Sequence, residues 1–308
     1  MVDVLDDAFV CRACGAHEGG ASLDVPDHEY GTGVVVTYVS CGACGSLTQH
    51  PMPSAATLAS YYPATYHSFS GRGLLTRVRD ARRIARLARM VEAAKGVVLD
   101  FGCGDGRFLV EAARALPHRF FGYEIGDATR VDEPVAGRVT IVRGHVDALF
   151  DVLPACDLVT MHHVIEHLPD PVDTLTRLAS KLTAGGRLAG QTPRADSLER
   201  RAFGARFSGF HAPRHTVVFS ERGLARALAR AGLVDVDVRG AFNPAALAVS
   251  VASLGNGEQG GTIRRAGTRW LVALGAAAAL APLDLLSGAP GIQDFSARAP
   301  SASAGTAR

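Results

Sequence analysis

The segment VVLDFGCGDGRF at residues 97–108 decides the fold class of this chain. Its first five residues are apolar except for Asp100, which predicts a buried strand. Gly102, Gly104 and Gly106 then predict a sharp turn that allows close approach of the backbone to a ligand. The helix expected after the turn favours a negative group at its N-terminus. A NAD-binding loop has the spacing G-x-G-x-x-G, so the G-x-G-x-G spacing found here argues against NAD.

Strand-like and helix-like segments alternate after this turn. Such alternation predicts a mostly parallel sheet covered by helices on both faces, an α/β fold. The predicted strands are RFFGYE (119–124), VTIVRG (139–144), DLVTMHH (157–163), GRLAGQT (186–192) and VDVDV (234–238). The predicted helices are FLVEAARAL (108–116), DTLTRLASKL (173–182) and ERGLARALARAGL (221–233).

Two C-x-x-C-G sequences near the N-terminus predict a metal site. They place Cys11 with Cys14 and Cys41 with Cys44. Two residues between cysteines allow both sulfurs to face one ion, and two such pairs complete a tetrahedral four-sulfur site of the kind that holds structural zinc. The start of the chain has no secretory pattern, so disulfides are not expected, and a redox pair would occur once beside a βαβ unit. We therefore predict a small zinc ribbon that binds Zn²⁺.

Composition limits the classes of partner. The chain has 308 residues, with 32 Lys and Arg against 30 Asp and Glu. A dedicated nucleic-acid binder usually carries a larger basic excess, so no nucleic-acid partner is expected. The longest apolar run, 270–283, is shorter than the roughly 20 residues that a membrane span needs. These features predict a cytoplasmic protein without a transmembrane span.

The arginine-rich segment 74–95 is predicted to be an amphipathic helix. Its arginines are expected to form a solvated face, with binding of an acidic substrate or peripheral contact with a membrane as the alternatives. The division expected for the whole chain is a zinc ribbon at 1–58, a helical connector or lid at 59–95, a cofactor-binding core at 96–240, an apolar region at 241–295 and a disordered tail at 296–308.

Taken together, the motifs resemble those of class I S-adenosylmethionine-dependent methyltransferases, whose core is a Rossmann-like sheet. The resemblance covers residues 96–240, and the cysteine pairs followed by YYPATYH (61–67) extend it towards bacterial methyltransferases of deoxysugars, envelope glycans and other natural products. The motifs that carry it are VLDFGCGDGRF (98–108), the acid Glu124 closing the second core strand, DLVTMHHVIEHLPDP (157–171), LTAGGRLAGQTPR (182–194) and FHAPRHTVVFSERGLARALARAGL (210–233).

The resemblance implies S-adenosylmethionine as the cofactor and assigns a binding role to particular positions. The glycine turn holds the methionine part, one acid holds the ribose, and residues after the third and fourth core strands lie beside the adenine and the sulfonium. The cofactor-binding residues implied in this way are Asp100, Gly102, Gly104, Gly106, Glu124, Asp147 and His162, and His163 borders the sulfonium as a further catalytic candidate.

Glu166 and His167, directly after the fourth core strand, are the leading catalytic candidates. A histidine near its ordinary pKa takes up a proton at neutral pH, and an adjacent carboxylate strengthens this tendency. The alternative is that both residues brace the loop before Pro169. Tyr66, with Tyr62 and His67, is expected either to line the acceptor pocket or to pack between ribbon and core.

The loop that contains His211, Arg214 and His215 is a further candidate for acceptor binding. A guanidinium binds phosphate or carboxylate groups well, so Arg214 either contacts an acidic acceptor or serves a structural role. The predicted reaction is C- or O-methylation of a small molecule. The alternatives are an RNA methyltransferase whose ribbon holds nucleic acid and a binding protein that keeps the fold without turnover.

Overall fold

The computed structural model describes residues 8–62, 74–91, 95–126, 135, 137–241, 243–254 and 267–301. Tyr66 and His67 lie outside the described residues. The described helices and strands, in chain order, are β1 (Gly19–Pro26), β2 (Val35–Cys41), β3 (Leu47–Gln49), α1 (Ala55–Ser60), α2 (Leu74–Met90), β4 (Val97–Phe101), α3 (Arg107–Ala115), β5 (Arg119–Glu124), β6 (Val139–Arg143), α4 (Val146–Val152), β7 (Cys156–His162), α5 (Pro171–Ser180), β8 (Leu182–Pro193), α6 (Leu198–Phe203), β9 (Val217–Val218), α7 (Glu221–Arg230), β10 (Val234–Ala241), α8 (Pro244–Ser253), α9 (Gly267–Leu286) and β11 (Ile292–Arg298).

The large sheet has seven strands in the order β10-β11-β8-β7-β4-β5-β6. Five neighbouring strands, from β8 to β6, run parallel, and β11 runs antiparallel to both β8 and β10. At the centre, Leu99 of β4 pairs with Phe121 of β5 and with Val159 of β7, and all three side chains are buried. This architecture confirms the predicted α/β class, since strands covered on both faces read as continuous apolar runs.

The helices of the core follow from local sequence signals. In α3, Leu109, Val110, Ala112 and Ala113 form one buried face, as a helical period of 3.6 residues requires. The α7 helix begins after Ser220, whose hydroxyl accepts a hydrogen bond from the Gly223 N–H at 2.9 Å. This N-cap satisfies a backbone donor that the first helical turn leaves free.

A second, four-stranded sheet lies at the N-terminal end, in the order β1-β2-β3-β9, and all its neighbours are antiparallel. Its first three strands come from the predicted ribbon, but β9 comes from the segment after the core strand β8. The small sheet is therefore completed by β9, whose backbone is hydrogen-bonded to β3 of the ribbon.

The C-terminal segment differs from our expectation. We placed residues 296–298 in a disordered tail, yet they belong to β11, which lies inside the large sheet between β10 and β8. Phe295 and Ala297 are buried in this strand. Its pairing on both sides satisfies the backbone groups of three strands, which explains why a short stretch of small and polar residues is ordered. Among the described residues, no helix is both long and apolar enough to cross a membrane.

Candidate active site and four-cysteine cluster

The glycine turn follows β4 as predicted. Gly102, Gly104 and Gly106 all have positive φ angles, of 83°, 58° and 77°, which side-chain-bearing residues rarely adopt. Space is also restricted, because a Cβ atom on Gly102 would lie 2.2 Å from Cγ2 of Val164. Gly102 is therefore required both by its backbone angle and by the segment packed against it.

Glu124 ends β5 beside this turn. Its Oε2 accepts a hydrogen bond from the Gly104 N–H at 2.9 Å, and its Oε1 accepts one from the Ile125 N–H at 3.0 Å. The side chain is half-buried. The Gly126 N–H is a third donor, 3.5 Å from Oε1. A carboxylate offers about four acceptor positions, so Glu124 retains the capacity to accept a hydroxyl donor such as that of a ribose. The turn and this acid fit the nucleoside cofactor that the sequence implied.

Asp100 is buried beneath the turn and is tied to two neighbouring elements. Its Oδ1 accepts a hydrogen bond from the Thr160 hydroxyl at 2.7 Å and lies 3.9 Å from Nη2 of Arg83. Burial raises the pKa of Asp100 despite the nearby guanidinium. Arg83 also stacks on the ring of Phe108, 3.9 Å from its centroid. The expectation of a wholly solvated arginine face on α2 is therefore wrong for Arg83, because this helix packs over the glycine turn.

Two further cofactor candidates lie at the same carboxyl edge of the sheet. Asp147, in the first turn of α4, is exposed and pairs with Nη2 of Arg177 at 2.5 Å. This partner lowers the pKa of Asp147. His162 ends β7 and is half-buried, and burial followed by the charge of Arg83 lowers its pKa well below the ordinary value. Contact of either residue with a cofactor stays a prediction.

Glu166 lies in a single 3₁₀ turn, Ile165–His167, after β7. Its side chain is fully buried, its Oε2 accepts a hydrogen bond from the Thr192 hydroxyl at 2.9 Å, and its Oε1 lies 3.3 Å from Nδ1 of His163. Burial acts to raise the pKa of Glu166, but the hydrogen bond and charge of His163, with smaller contributions from other groups, lower it overall. Glu166 is thus oriented towards His163 and Thr192, and these three residues form the cluster around Glu166.

His167 occupies the outer side of the same turn and is half-buried. Its Nδ1 lies 2.9 Å from the hydroxyl of Tyr62 and 3.2 Å from the backbone oxygen of Arg214. Burial lowers the pKa of His167 to about 4, although the charge of Glu166 acts in the opposite direction. The imidazole is therefore neutral at pH 7, with a lone pair available, and it is a weaker base than the ordinary histidine expected from the sequence.

Arg214 is fully buried and already paired, an environment that suits the structural role better than contact with an acidic acceptor. Its Nη2 lies 2.9 Å from Oδ1 of Asp27, its Nη1 donates to the backbone oxygen of Tyr61 at 3.1 Å, and its guanidinium stacks on Tyr30 at 4.4 Å from the ring centroid. The structural alternative is the one that fits. Asp27, which precedes β2, was missed in the sequence because a lone acid in a turn carries no local signal of a distant partner.

The two histidines of the same loop are also turned inward. Nδ1 of His211 lies 2.9 Å from Oε2 of Glu29. Nδ1 of His215 lies 2.8 Å from the backbone oxygen of Gly209, so this nitrogen donates. The ring of His215 meets that of His167 edge to face, with centroids 4.4 Å apart. The loop thus forms part of the wall around His167.

The four N-terminal cysteines converge as predicted. Cys11 Sγ and Cys44 Sγ are 3.6 Å apart, as are Cys14 Sγ and Cys41 Sγ, and all four sulfurs lie within 4.8 Å of one another. Tetrahedral zinc–thiolate geometry with bonds of about 2.3 Å places sulfurs about 3.8 Å apart. The spacing of the four sulfurs therefore fits a zinc ion.

Comparison with known proteins agrees with this geometry. The sequence profile of the methyltransferase domain family matches residues 75–238, more than half of the chain. Uncharacterised methyltransferases of Mycobacterium tuberculosis and Mycobacterium bovis are 32% identical over 114 residues, covering 34% of this chain and 54% of theirs. The chain thus spans about half the length of these curated relatives.

A solved structure shows the same fold. The cyclopropane synthase MmaA2 from Mycobacterium tuberculosis is 14% identical, with a TM-score of 0.50 over 76% of this chain and 90% of that one. At this identity the likeness concerns the fold alone. The profile match adds the family, because it spans the glycine turn, Glu124 and the buried cluster around Glu166. The chain belongs to the methyltransferase domain family, as a class I S-adenosylmethionine-dependent methyltransferase domain preceded by a four-cysteine cluster.

Proposed function

We propose that the protein transfers a methyl group from S-adenosylmethionine to oxygen or carbon of a small-molecule acceptor of the natural-product, deoxysugar or envelope-glycan type. The observation that carries this proposal is the glycine turn beside Glu124, with the cluster around Glu166 at the carboxyl end of the adjoining parallel strands. Ligands of open α/β sheets bind at that end of the strands, so cofactor and acceptor would meet there.

The chain's own residues would hold the cofactor in a defined order along this edge. Gly102, Gly104 and Gly106 would hold the methionine part, with Asp100 bracing the turn through Thr160. Glu124 would accept a hydrogen bond from a ribose hydroxyl. S-adenosylmethionine, when bound, supplies a methyl group attached to a sulfonium, whose sulfur is a good leaving group because it becomes a neutral thioether when the methyl group is transferred. The positions proposed for the adenine and the sulfonium are those of Asp147 and His162.

His167 is proposed as the general base. It would take the proton that the acceptor loses, while the electron pair freed on the acceptor forms the bond to the methyl carbon. Tyr62 and the backbone oxygen of Arg214 hold its Nδ1 side, and Glu166 supports the turn from below. Positioning alone supplies much of the rate of such a displacement. Tyr66 remains the next candidate for a catalytic side chain.

Removal of the Glu124 carboxylate tests the cofactor assignment. Glu124→Ala should weaken binding of S-adenosylhomocysteine by about 1–3 kcal/mol, because a ribose hydroxyl loses its charged acceptor. Isothermal titration calorimetry measures this difference. Glu111→Ala, which alters an exposed acid on α3 paired with Arg114, is the matched control and should bind like wild type. Tight binding of NAD by the wild-type protein, without binding of S-adenosylhomocysteine, would refute the assignment.

The overall activity is tested by transfer of a labelled methyl group. Wild-type protein incubated with labelled S-adenosylmethionine should label members of a panel of glycosides and polyketide-like alcohols or ketones. Absence of label in every small acceptor, together with label in RNA, would favour the alternative acceptor class.

We further infer that the four cysteines bind one structural zinc ion. Purified protein should contain about one equivalent of zinc by elemental analysis, and the double variant Cys11→Ser/Cys44→Ser should lose it, because two of four thiolate ligands are gone. Cys156→Ala removes a buried thiol outside the cluster and should retain the metal. Full metal content in the double variant would contradict the inference.

A further inference from the structure

A chain of polar contacts leads from the surface of α2 to the buried Glu166. Arg86 Nη1 lies 2.7 Å from Oδ2 of Asp294 on β11, and Nε2 of Gln191 on β8 donates to Oδ1 of the same acid at 2.7 Å. Oε1 of Gln191 lies 3.2 Å from Nε2 of His163, whose Nδ1 lies 3.3 Å from Oε1 of Glu166. This series of contacts therefore connects one helix, two strands and the turn that carries the proposed base.

The donors and acceptors in this chain determine the protonation of His163. Asp294, an ionised acid facing a guanidinium, only accepts, so the amide nitrogen of Gln191 must face it. The amide oxygen of Gln191 then faces Nε2 of His163, which must donate. At the other nitrogen stands the Glu166 carboxylate, a far weaker base than imidazole, so Nδ1 also carries its proton. Both ring nitrogens of His163 therefore face hydrogen-bond acceptors, an arrangement that favours the doubly protonated ring.

We propose that Asp294, acting through Gln191, is a positioning residue that holds His163 as an imidazolium cation facing the acceptor site. This proposal rests on the proposed function. The cation would offset the negative charge that develops on the acceptor while His167 removes the acceptor's proton. His163 keeps both of its protons throughout this step, and the acceptor's proton ends on His167.

Three observations support the role of His163. Its side chain is 41% exposed whereas that of Glu166 is 0% exposed, so His163 is accessible to a bound molecule and Glu166 is not. Its φ angle is 56°, and a histidine held in this sparsely populated region is typical of functional sites. Burial acts to lower the pKa of His163, but the hydrogen bond and charge of Glu166 raise it overall.

The pKa of His167 is shifted in the opposite direction from that of His163, since burial lowers it. Environments that shift the pKa values of two histidines in opposite directions can keep one ring protonated and the other neutral at the same pH. The other titratable or charged groups that act on His163 or respond to its charge are Arg83 on α2, His162 at the end of β7, Glu166, and His215 in the loop before β9.

The test is a titration of the histidine rings by ¹⁵N NMR in the full-length protein, with the His163 signal assigned from its loss in His163→Gln. In wild type both ring nitrogens should be protonated at pH 7. Asp294→Asn lets the Gln191 amide rotate and present its N–H₂ group, so the titration midpoint of His163 should fall by about one pH unit or more. Asp237→Asn, the same change in an exposed pair on β10, should leave the midpoint unchanged.

Kinetics separate this role from a merely structural one. Asp294→Asn should lower kcat while the Kd of S-adenosylhomocysteine stays at its wild-type value, and Asp294→Glu should restore part of the loss. A neutral His163 in the wild type at pH 7, or an unchanged midpoint in Asp294→Asn, would overturn the proposal. If wild type methylates no acceptor, the proposed function fails, yet the titration still decides the charge of His163 and its dependence on Asp294.

Discussion

Replacing His167 with alanine should lower the rate of methyl transfer by about 10²–10⁴-fold, the effect typical of losing a positioned general base. The affinity for S-adenosylhomocysteine and the melting temperature should stay near their wild-type values, because Glu124 and the glycine turn are untouched and the side chain is only half-buried. Single-turnover rates, calorimetry and thermal unfolding measure the three quantities. His17→Ala, which removes an exposed histidine outside the site, is the matched control.

The lowered pKa of His167 also predicts how the rate of methyl transfer changes with pH. Because the pKa of His167 is lowered to about 4, the residue stays neutral as pH falls from 7 and loses its function only when pH approaches that value. The deficit of the alanine variant should shrink at high pH, where solvent or the ionised acceptor replaces the base. The charged and titratable groups around the ring are Glu166, His163, His211, His215 and Tyr62. Normal turnover, or a lower melting temperature as the main effect, would show that His167 braces the loop before Pro169.

Asp27→Ala should destabilise the protein by about 3–5 kcal/mol, the typical cost of leaving a buried charge without its partner. The side chains of Asp27 and Arg214 are both 0% exposed. The Asp27 carboxylate also accepts hydrogen bonds from the Tyr30 N–H at 3.0 Å and the Thr32 hydroxyl at 2.8 Å. The variant therefore loses a salt bridge and the order of the turn before β2 together. Urea unfolding measures the change.

The same pair predicts an acid-sensitive contribution to stability. Burial acts to raise the pKa of Asp27, but its hydrogen bond with Arg214 and the other contacts lower it overall. A lowered pKa in the folded state means that the stabilisation is complete above the ordinary carboxyl pKa and is lost as pH falls through the folded value. The difference between wild type and Asp27→Ala should therefore shrink in strong acid.

An exposed ion pair is the matched control. Asp237→Ala removes the partner of Arg239 on β10, where the two side chains are 45% and 77% exposed. Such surface pairs contribute about 1 kcal/mol or less. An Asp27→Ala variant as stable as this control would show that the buried pair is dispensable.

Short-range patterns in the sequence were sufficient for the central part of the fold. The strand, glycine turn and helix at 97–108 were predicted correctly because apolar runs and positive-φ glycines act within a few residues. The convergence of the four cysteines was predicted for a related reason. Each C-x-x-C-G pair forms its own turn and offers two sulfurs. An ion with tetrahedral coordination needs four ligands, so two such turns must meet.

The environment of the proposed base required the three-dimensional structure. The sequence singled out Glu166 and His167 as neighbours, but only the structure shows that Glu166 faces His163 and Thr192 while His167 contacts Tyr62. Successive residues in a tight turn point in different directions, so adjacency in sequence did not predict which side chains share a hydrogen bond.

The sequence by itself determined the α/β class, the glycine turn and the cysteine cluster, since each depends on residues close together in the chain. Tertiary structure alone decided that β11 completes the sheet between β8 and β10, that Arg214 is buried against Asp27, 187 residues away, and that Asp294 reaches Gln191, 103 residues away. These contacts bring together polar side chains from separate elements. A polar group that folding removes from water needs a hydrogen-bond partner to offset the cost, and no local pattern of residues encodes which distant group provides it.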